Sequence, residues 1–202
     1  MDRKAFYEKT RTIVEILRLV FMLLAVSVVT ISIIKYVWQS IGIEGDSMLP
    51  TFKNGDKILI LKVGNKAEYD RYDIIVFKPY EKDKEGTADN EENVLYIKRI
   101  IGLPGETLRI DTDGVVYVMD ADGGFRALEG DRYGSSPSTR GINWNLNDSD
   151  YYETVTLGND EYFVLGDNRS VSLDSRSEQV RAVNVNCVIG KYVLGIRPFG
   201  KK

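Results

Sequence analysis

The sequence predicts a mainly β, antiparallel domain behind a single N-terminal transmembrane helix. Three observations carry that expectation. Residues 19–34 (LVFMLLAVSVVTISII) form a run of sixteen residues without a charge. After Gly42 the chain changes to short apolar runs of β type. Clusters of Gly, Asp and Asn separate those runs, as hairpin turns require.

The apolar run comes first. At about 1.5 Å per residue it spans about 24 Å, slightly short of a bilayer core, and Arg18 and Lys35 can snorkel to lengthen it. Tyr36 and Trp38 follow where an interfacial aromatic belt belongs. A buried helix of a soluble fold is the alternative, but the run is apolar all round, with no polar stripe at helical period. A cleavable signal peptide is another; the run exceeds a usual h-region, and no small-x-small site follows it. Arg3, Lys4, Lys9, Arg11 and Arg18 precede the run and only Lys35 closely follows it. The positive-inside bias then makes residues 1–18 a cytoplasmic N-terminus, 19–38 an uncleaved signal anchor and 39–202 an extracytoplasmic domain.

Within that domain the expected strands are Lys57–Lys62, Asp73–Lys78, Val94–Ile101, Thr107–Ile110, Val115–Met119, Tyr162–Leu165 and Val188–Gly195. No helical period of useful length follows the anchor. Glu81–Asn93 is charged and nearly free of apolar residues, which reads as a solvated loop. Gly130–Asp150, rich in Gly, Ser, Asn and Asp, reads as part of an inserted cap over about residues 120–155.

Composition narrows the chemistry. The net charge of −3 offers no basic patch for nucleic acid. The 202 residues include no histidine, which removes every Ser-His or Cys-His mechanism and most zinc sites. Cys187 is the only cysteine, so no intramolecular disulfide forms, and its surroundings read as a strand with a small buried hydrophobe.

Three places retain chemical interest. Ser47 lies in Gly45-Asp46-Ser47-Met48-Leu49-Pro50-Thr51, shortly after the anchor. Alone, such a serine caps a turn as readily as it attacks a carbonyl. Lys98 and Arg99 are adjacent within the apolar run Tyr96–Ile101, so in a regular strand they face opposite sides and one cation must meet an apolar face. Desolvation lowers the pKa of a buried lysine, and a neutral amine can take a proton from a serine hydroxyl. Gly166–Arg176 (GDNRSVSLDSR) is dense in hydrogen-bonding groups. It reads either as a surface loop or as a polar network bracing the lysine.

Together these segments resemble the type I signal peptidase family of Ser-Lys dyad proteases, with four motifs in the family's order. Residues 45–51 resemble the nucleophile motif, 72–77 a structural strand, 98–106 the general-base motif and 166–176 the last motif. The resemblance implies an antiparallel β catalytic domain in which Ser47 is the nucleophile and Lys98 the base. It implies that Ser172 positions the lysine, and that Asp174 and Arg176 form a salt bridge also involving Arg99. It implies that Ile43, Met48, Phe52, Tyr96 and Ile97 line shallow pockets for the small-x-small end of a signal peptide. The implied partners are signal-peptide-bearing preproteins and the lipid bilayer, with no cofactor and no metal. Three departures stand out. Gly45 occupies a position where many Gram-negative members carry serine, Glu106 replaces the usual aspartate, and Ser177–Val180 lacks the usual aromatic and glycine. Other classes compatible with parts of the pattern are a self-cleaving repressor with a related dyad, an anchored binding module and a catalytically dead paralogue.

Overall fold

The computed structural model describes residues 3–62, 68–79, 94–111, 113–134 and 154–196. The expected loop Glu81–Asn93 and the cap beyond residue 134, up to residue 153, lie outside them. The chain divides into two compact units, Met1–Gln39 and Ser40–Lys202.

The first unit is the helix α1 (Arg3–Val37), which begins within the charged flank rather than at the apolar run. Its Tyr7–Val37 stretch is long and apolar enough to cross a membrane, with a mean hydropathy of 2.5 in its most apolar window. The three hydroxyls of its apolar run are satisfied inside the helix. Ser27 Oγ donates to the Leu23 carbonyl at 2.8 Å, Thr30 Oγ1 to Val26 at 2.9 Å and Ser32 Oγ to Val28 at 2.8 Å. That pairing lets polar side chains sit in an apolar segment.

The second unit is built from strands, preceded by β1 (Trp38–Gly42) at the junction. They are β2 (Lys57–Leu61), β3 (Ile74–Phe77), β4 (Tyr96–Gly102), β5 (Thr107–Ile110), β6 (Val116–Met119), β7 (Phe125–Ala127), β8 (Thr154–Thr156), β9 (Glu161–Leu165), β10 (Val183–Asn184) and β11 (Val188–Ile196). One sheet has the order β1-β2-β11-β3-β4-β9-β10 and the other β7-β6-β5-β8. The pairings from β2 to β10 and those of the small sheet are antiparallel. This is the predicted fold class. All seven expected strands form, and β1, β7, β8 and β10 are added, each of five residues or fewer. Runs that short carry little periodicity of their own. One expectation fails locally. Cys187 ends a 3-10 turn, Val185–Cys187, and is half-buried rather than a core strand residue.

Period-2 alternation explains the core. In β3, Ile74 and Val76 join Ile58 and Ile60 of β2, with Ile43, Met48 and Phe52, in one buried cluster. Ile75 and Phe77 point the other way, into a cluster with Ile100, Tyr162 and Val164. Both faces of this central strand are therefore packed, and its sequence is a continuous apolar run instead of an alternating one. A third cluster, with Leu108, Val116, Val155 and Phe163, joins the small sheet to the large one.

Candidate active site

Ser47 sits at the first of the turns that connect β1 to β2. The turn is pinned at both ends. Ile43 N–H donates to the Asp56 carbonyl and Gly55 N–H to the Ile43 carbonyl, each at 2.8 Å, while Phe52 N–H closes on Met48 O at 2.9 Å. The loop after β9 holds the serine itself, for Asn168 N–H donates to Ser47 O at 3.0 Å and Asn168 Nδ2 to Asp46 O at 3.1 Å.

Lys98 approaches from the middle of β4. Its Nζ donates to Ser47 Oγ at 2.8 Å and to its neighbour's carbonyl, Ile97 O, at 2.9 Å. The residue is 3% exposed. Burial lowers its pKa to about 8, although the negative charges of Asp174 and Asp167 oppose the shift. A lysine that sheds its proton near neutrality, within hydrogen-bond reach of a hydroxyl, can act as a base toward that hydroxyl.

Gly166 is where the loop meets the serine turn. A Cβ there would lie 2.1 Å from Ser172 Oγ and 2.5 Å from Ser47 O, so only glycine fits. Ser172 Oγ is buried against this glycine and makes no hydrogen bond among the described residues. The lysine is therefore held by Ser47 and Ile97 O, without a direct bond to Ser172.

Asp174 and Arg176 form the expected pair, fully buried, with Nε to Oδ1 at 2.8 Å and Nη2 to Oδ2 at 2.9 Å. Asp174 Oδ2 also accepts the Gly166 N–H at 3.0 Å, and Arg176 Nη2 donates to Arg169 O at 2.7 Å. Arg99 does not join them, which corrects the expectation. It lies one residue past Lys98 and so on the other face of β4. There it pairs with Asp167, Nε to Oδ1 at 2.7 Å and Nη2 to Oδ2 at 2.6 Å, and donates to Tyr72 O at 2.9 Å. Thr51 Oγ1 donates to the same Asp167 carboxylate.

The five pocket candidates divide. Ile43, Met48, Phe52 and Ile97 meet in one apolar cluster. Tyr96 faces away from it and stacks on Phe77 with ring centroids 5.9 Å apart; Lys98 Nζ lies 5.5 Å from the Tyr96 ring centre. The substituted Glu106 braces the turn after β4. Its carboxylate accepts the Leu103 N–H at 2.8 Å and pairs with Arg71 at 2.5 Å.

Asp167, Thr51, Asp131, Tyr133 and Arg169 also take part, none of them with an individual role that the sequence assigns. Asp167 and Arg169 lie inside the last motif but look like generic turn residues. Asp131 and Tyr133 lie in the excursion, and their partners are 38 and 82 positions away in sequence.

The sequence pattern of the signal peptidase family, peptidase S26, matches residues 13–196. The chain belongs to that family. A signal peptidase I U of Bacillus subtilis (strain 168) is 31% identical over 195 residues, 96% of this chain and 93% of that protein. Signal peptidase I V of the same organism is 34% identical over 150 residues, 74% and 81% of the two chains. A crystal structure of a signal peptidase I from Enterococcus faecalis V583 shares 27% identity with a TM-score of 0.39, covering 62% of this chain and 97% of that one. As an S26 signal peptidase the chain is a serine endopeptidase, a hydrolase.

Proposed function

We propose that this signal peptidase cuts signal peptides from exported preproteins after a small-x-small motif, with Ser47 as nucleophile and Lys98 as general base. The observation that carries the reading is the 2.8 Å contact between Lys98 Nζ and Ser47 Oγ, made by a buried lysine whose pKa lies near 8. Neutral Lys98 takes the Oγ proton as Oγ attacks the scissile carbonyl. The Ser47 backbone N–H is the donor best placed by position for the oxyanion. The tetrahedral intermediate collapses as Lys98 returns its proton to the leaving amine. Water then gives a proton to Lys98, its hydroxide attacks the acyl ester, and Ser47 Oγ leaves with the proton from Lys98. No cofactor or metal takes part.

Ile43, Met48, Phe52 and Ile97 supply the apolar wall that admits a small side chain beside Ser47. The substrate lies as an added strand along Tyr96–Ile97. Tyr96, which faces the opposite side of that strand, contributes backbone to this arrangement and shields Lys98. Ser172 acts through Gly166 and Ser47 O rather than by bonding the lysine. Residues 1–18 are cytoplasmic, 19–38 cross the bilayer and 39–202 work outside, with the excursion at about 120–155 as a cap. Cysteine-accessibility labelling that put residue 100 in the cytoplasm would overturn this topology.

The test uses preproteins with Ala, Leu or Phe at the cut position. Wild type is expected to cleave the Ala substrate far faster than the others, and Ser47→Ala, Lys98→Ala and Lys98→Arg to cleave none. Guanidinium keeps the charge but, with a pKa above about 12, cannot serve as a base. Near-normal turnover by Lys98→Arg would remove the base assignment, and equal rates on the three substrates would remove the pocket.

A further inference from the structure

The turn Asp131–Gly134, inside the inserted cap region of about residues 120–155, reaches two of the chain segments that build the dyad. We propose that Asp131 and Tyr133 are positioning residues that clamp the Ser47 turn and the 166–176 loop together; this rests on the Ser47–Lys98 reading above. Asp131 accepts both terminal nitrogens of Arg169, Nη1 to Oδ2 at 2.9 Å and Nη2 to Oδ1 at 2.6 Å. The pair is closed to solvent, with side chains 2% and 4% exposed. Arg169 Nε in turn donates to Gly166 O at 3.1 Å, at the glycine that packs on Ser47 O and Ser172.

Tyr133 reaches the other segment. Its hydroxyl shares a 2.9 Å hydrogen bond with Thr51 Oγ1, four residues past Ser47, and Thr51 bonds Asp167. The Tyr133 ring lies 5.7 Å from the Arg99 guanidinium, next to Lys98 on β4. Tyr72 secures the start of the turn by donating to Glu129 O. At Gly134 a Cβ would come within 2.9 Å of Asp131 Oδ2, so the glycine leaves the carboxylate its room. Tyr133 N–H donates to Asp131 Oδ1 at 3.2 Å, which aims the carboxylate at Arg169.

A clamp of this kind acts on the separation of Ser47, Lys98 and the loop that buries the lysine. A misplacement of about 1 Å at such a site costs about 100-fold in rate. Looser packing also admits water to Lys98 and returns its pKa toward the free value.

The experiment measures kcat, KM, the pH midpoint of kcat/KM and the melting temperature of the full chain in detergent, with an Ala-type preprotein substrate. Tyr133→Phe, which deletes one hydroxyl, is expected to lower kcat about threefold to tenfold with KM and melting temperature nearly unchanged. Asp131→Asn is expected to lower kcat about 10- to 100-fold and to move the pH midpoint upward from about 8, with Asp131→Glu recovering part of the loss. If both Tyr133→Phe and Asp131→Asn keep the wild-type kcat and pH midpoint, whatever their melting temperatures, the clamp is wrong. Ser47→Ala, run alongside, separates the two ideas: cleavage by that variant sinks the dyad itself, whereas a dead Ser47→Ala beside unimpaired Asp131 and Tyr133 variants sinks only the clamp.

Discussion

Replacing Lys98 by Met should change how stability depends on pH, by an amount the site geometry sets. Methionine keeps the unbranched stem and removes the ammonium from a position only 3% exposed. The folded-state pKa of Lys98 is about 8, against about 10.4 for a free lysine. Between those values the unfolded chain holds a proton that the folded chain lacks. Stability therefore rises with pH from about 8 to about 10.4, and below pH 8 the folded state carries the cost of a buried charge. At about 1.4 kcal/mol per unit, the gap of somewhat over two units corresponds to about 3 kcal/mol. For a domain of this size that is about 6–12 °C in melting temperature. Other groups also titrate, so the quantity to compare is the difference between wild type and Lys98→Met. Thermal melts of the full chain in detergent at pH 7 and pH 10 give it. Lys98→Met is expected to be the more stable protein at pH 7 and to lose most of that advantage by pH 10. Wild-type turnover should climb through the same midpoint, because only neutral lysine accepts the Ser47 proton. Parallel melting curves for the two proteins, or a rate midpoint near 10, would refute the buried-base argument.

Two further perturbations probe the support of the site. Asp174→Ala strands Arg176 in a buried position and removes the acceptor of Gly166 N–H, so it should cost about 3–5 kcal/mol, read by chemical or thermal unfolding; full stability in that variant would deny the pair its bracing role. Gly166→Ala would place a methyl 2.1 Å from Ser172 Oγ and 2.5 Å from Ser47 O, so turnover should fall by at least about 100-fold through displacement of the serine turn, measured as kcat on a preprotein.

Much of this protein was legible in one dimension because the relevant physics is local. Sixteen uncharged residues at 19–34 need a helix that satisfies its own backbone, and α1 supplies it. The apolar runs around 57–62, 73–78 and 94–101, bounded by turn residues, read as short strands, and β2, β3 and β4 follow them. Lys98 stood out for a chemical reason, since a chain without histidine has few bases to set beside a serine, whereas Ser47 stood out through the resemblance of residues 45–51 to a nucleophile motif. The adjacency of Lys98 and Arg99 even announced that the two would part company across β4.

Tertiary structure decided where each of them went. Nothing in the order of residues says that Arg99 takes Asp167 and leaves Asp174 to Arg176, because three arginines, Arg169 and Arg176 buried and Arg99 partly so, and several carboxylates permit more than one pairing. Sheet register settles it: β4 pairs with β9 so that Arg99 stands opposite Leu165, and Asp167 emerges two residues later within reach of the guanidinium. The same holds for Tyr96, placed by alternation on the face away from Ile97, and for Ser172, packed against Gly166 without a bond to the lysine. Asp131 and Tyr133 lie in a stretch whose polar composition predicts only an excursion, and their contacts span 38 and 82 residues. Local propensity reports what a segment can become; partner choice among buried charges depends on which carboxylate the packed sheets bring within 3 Å, and that distance exists only after folding.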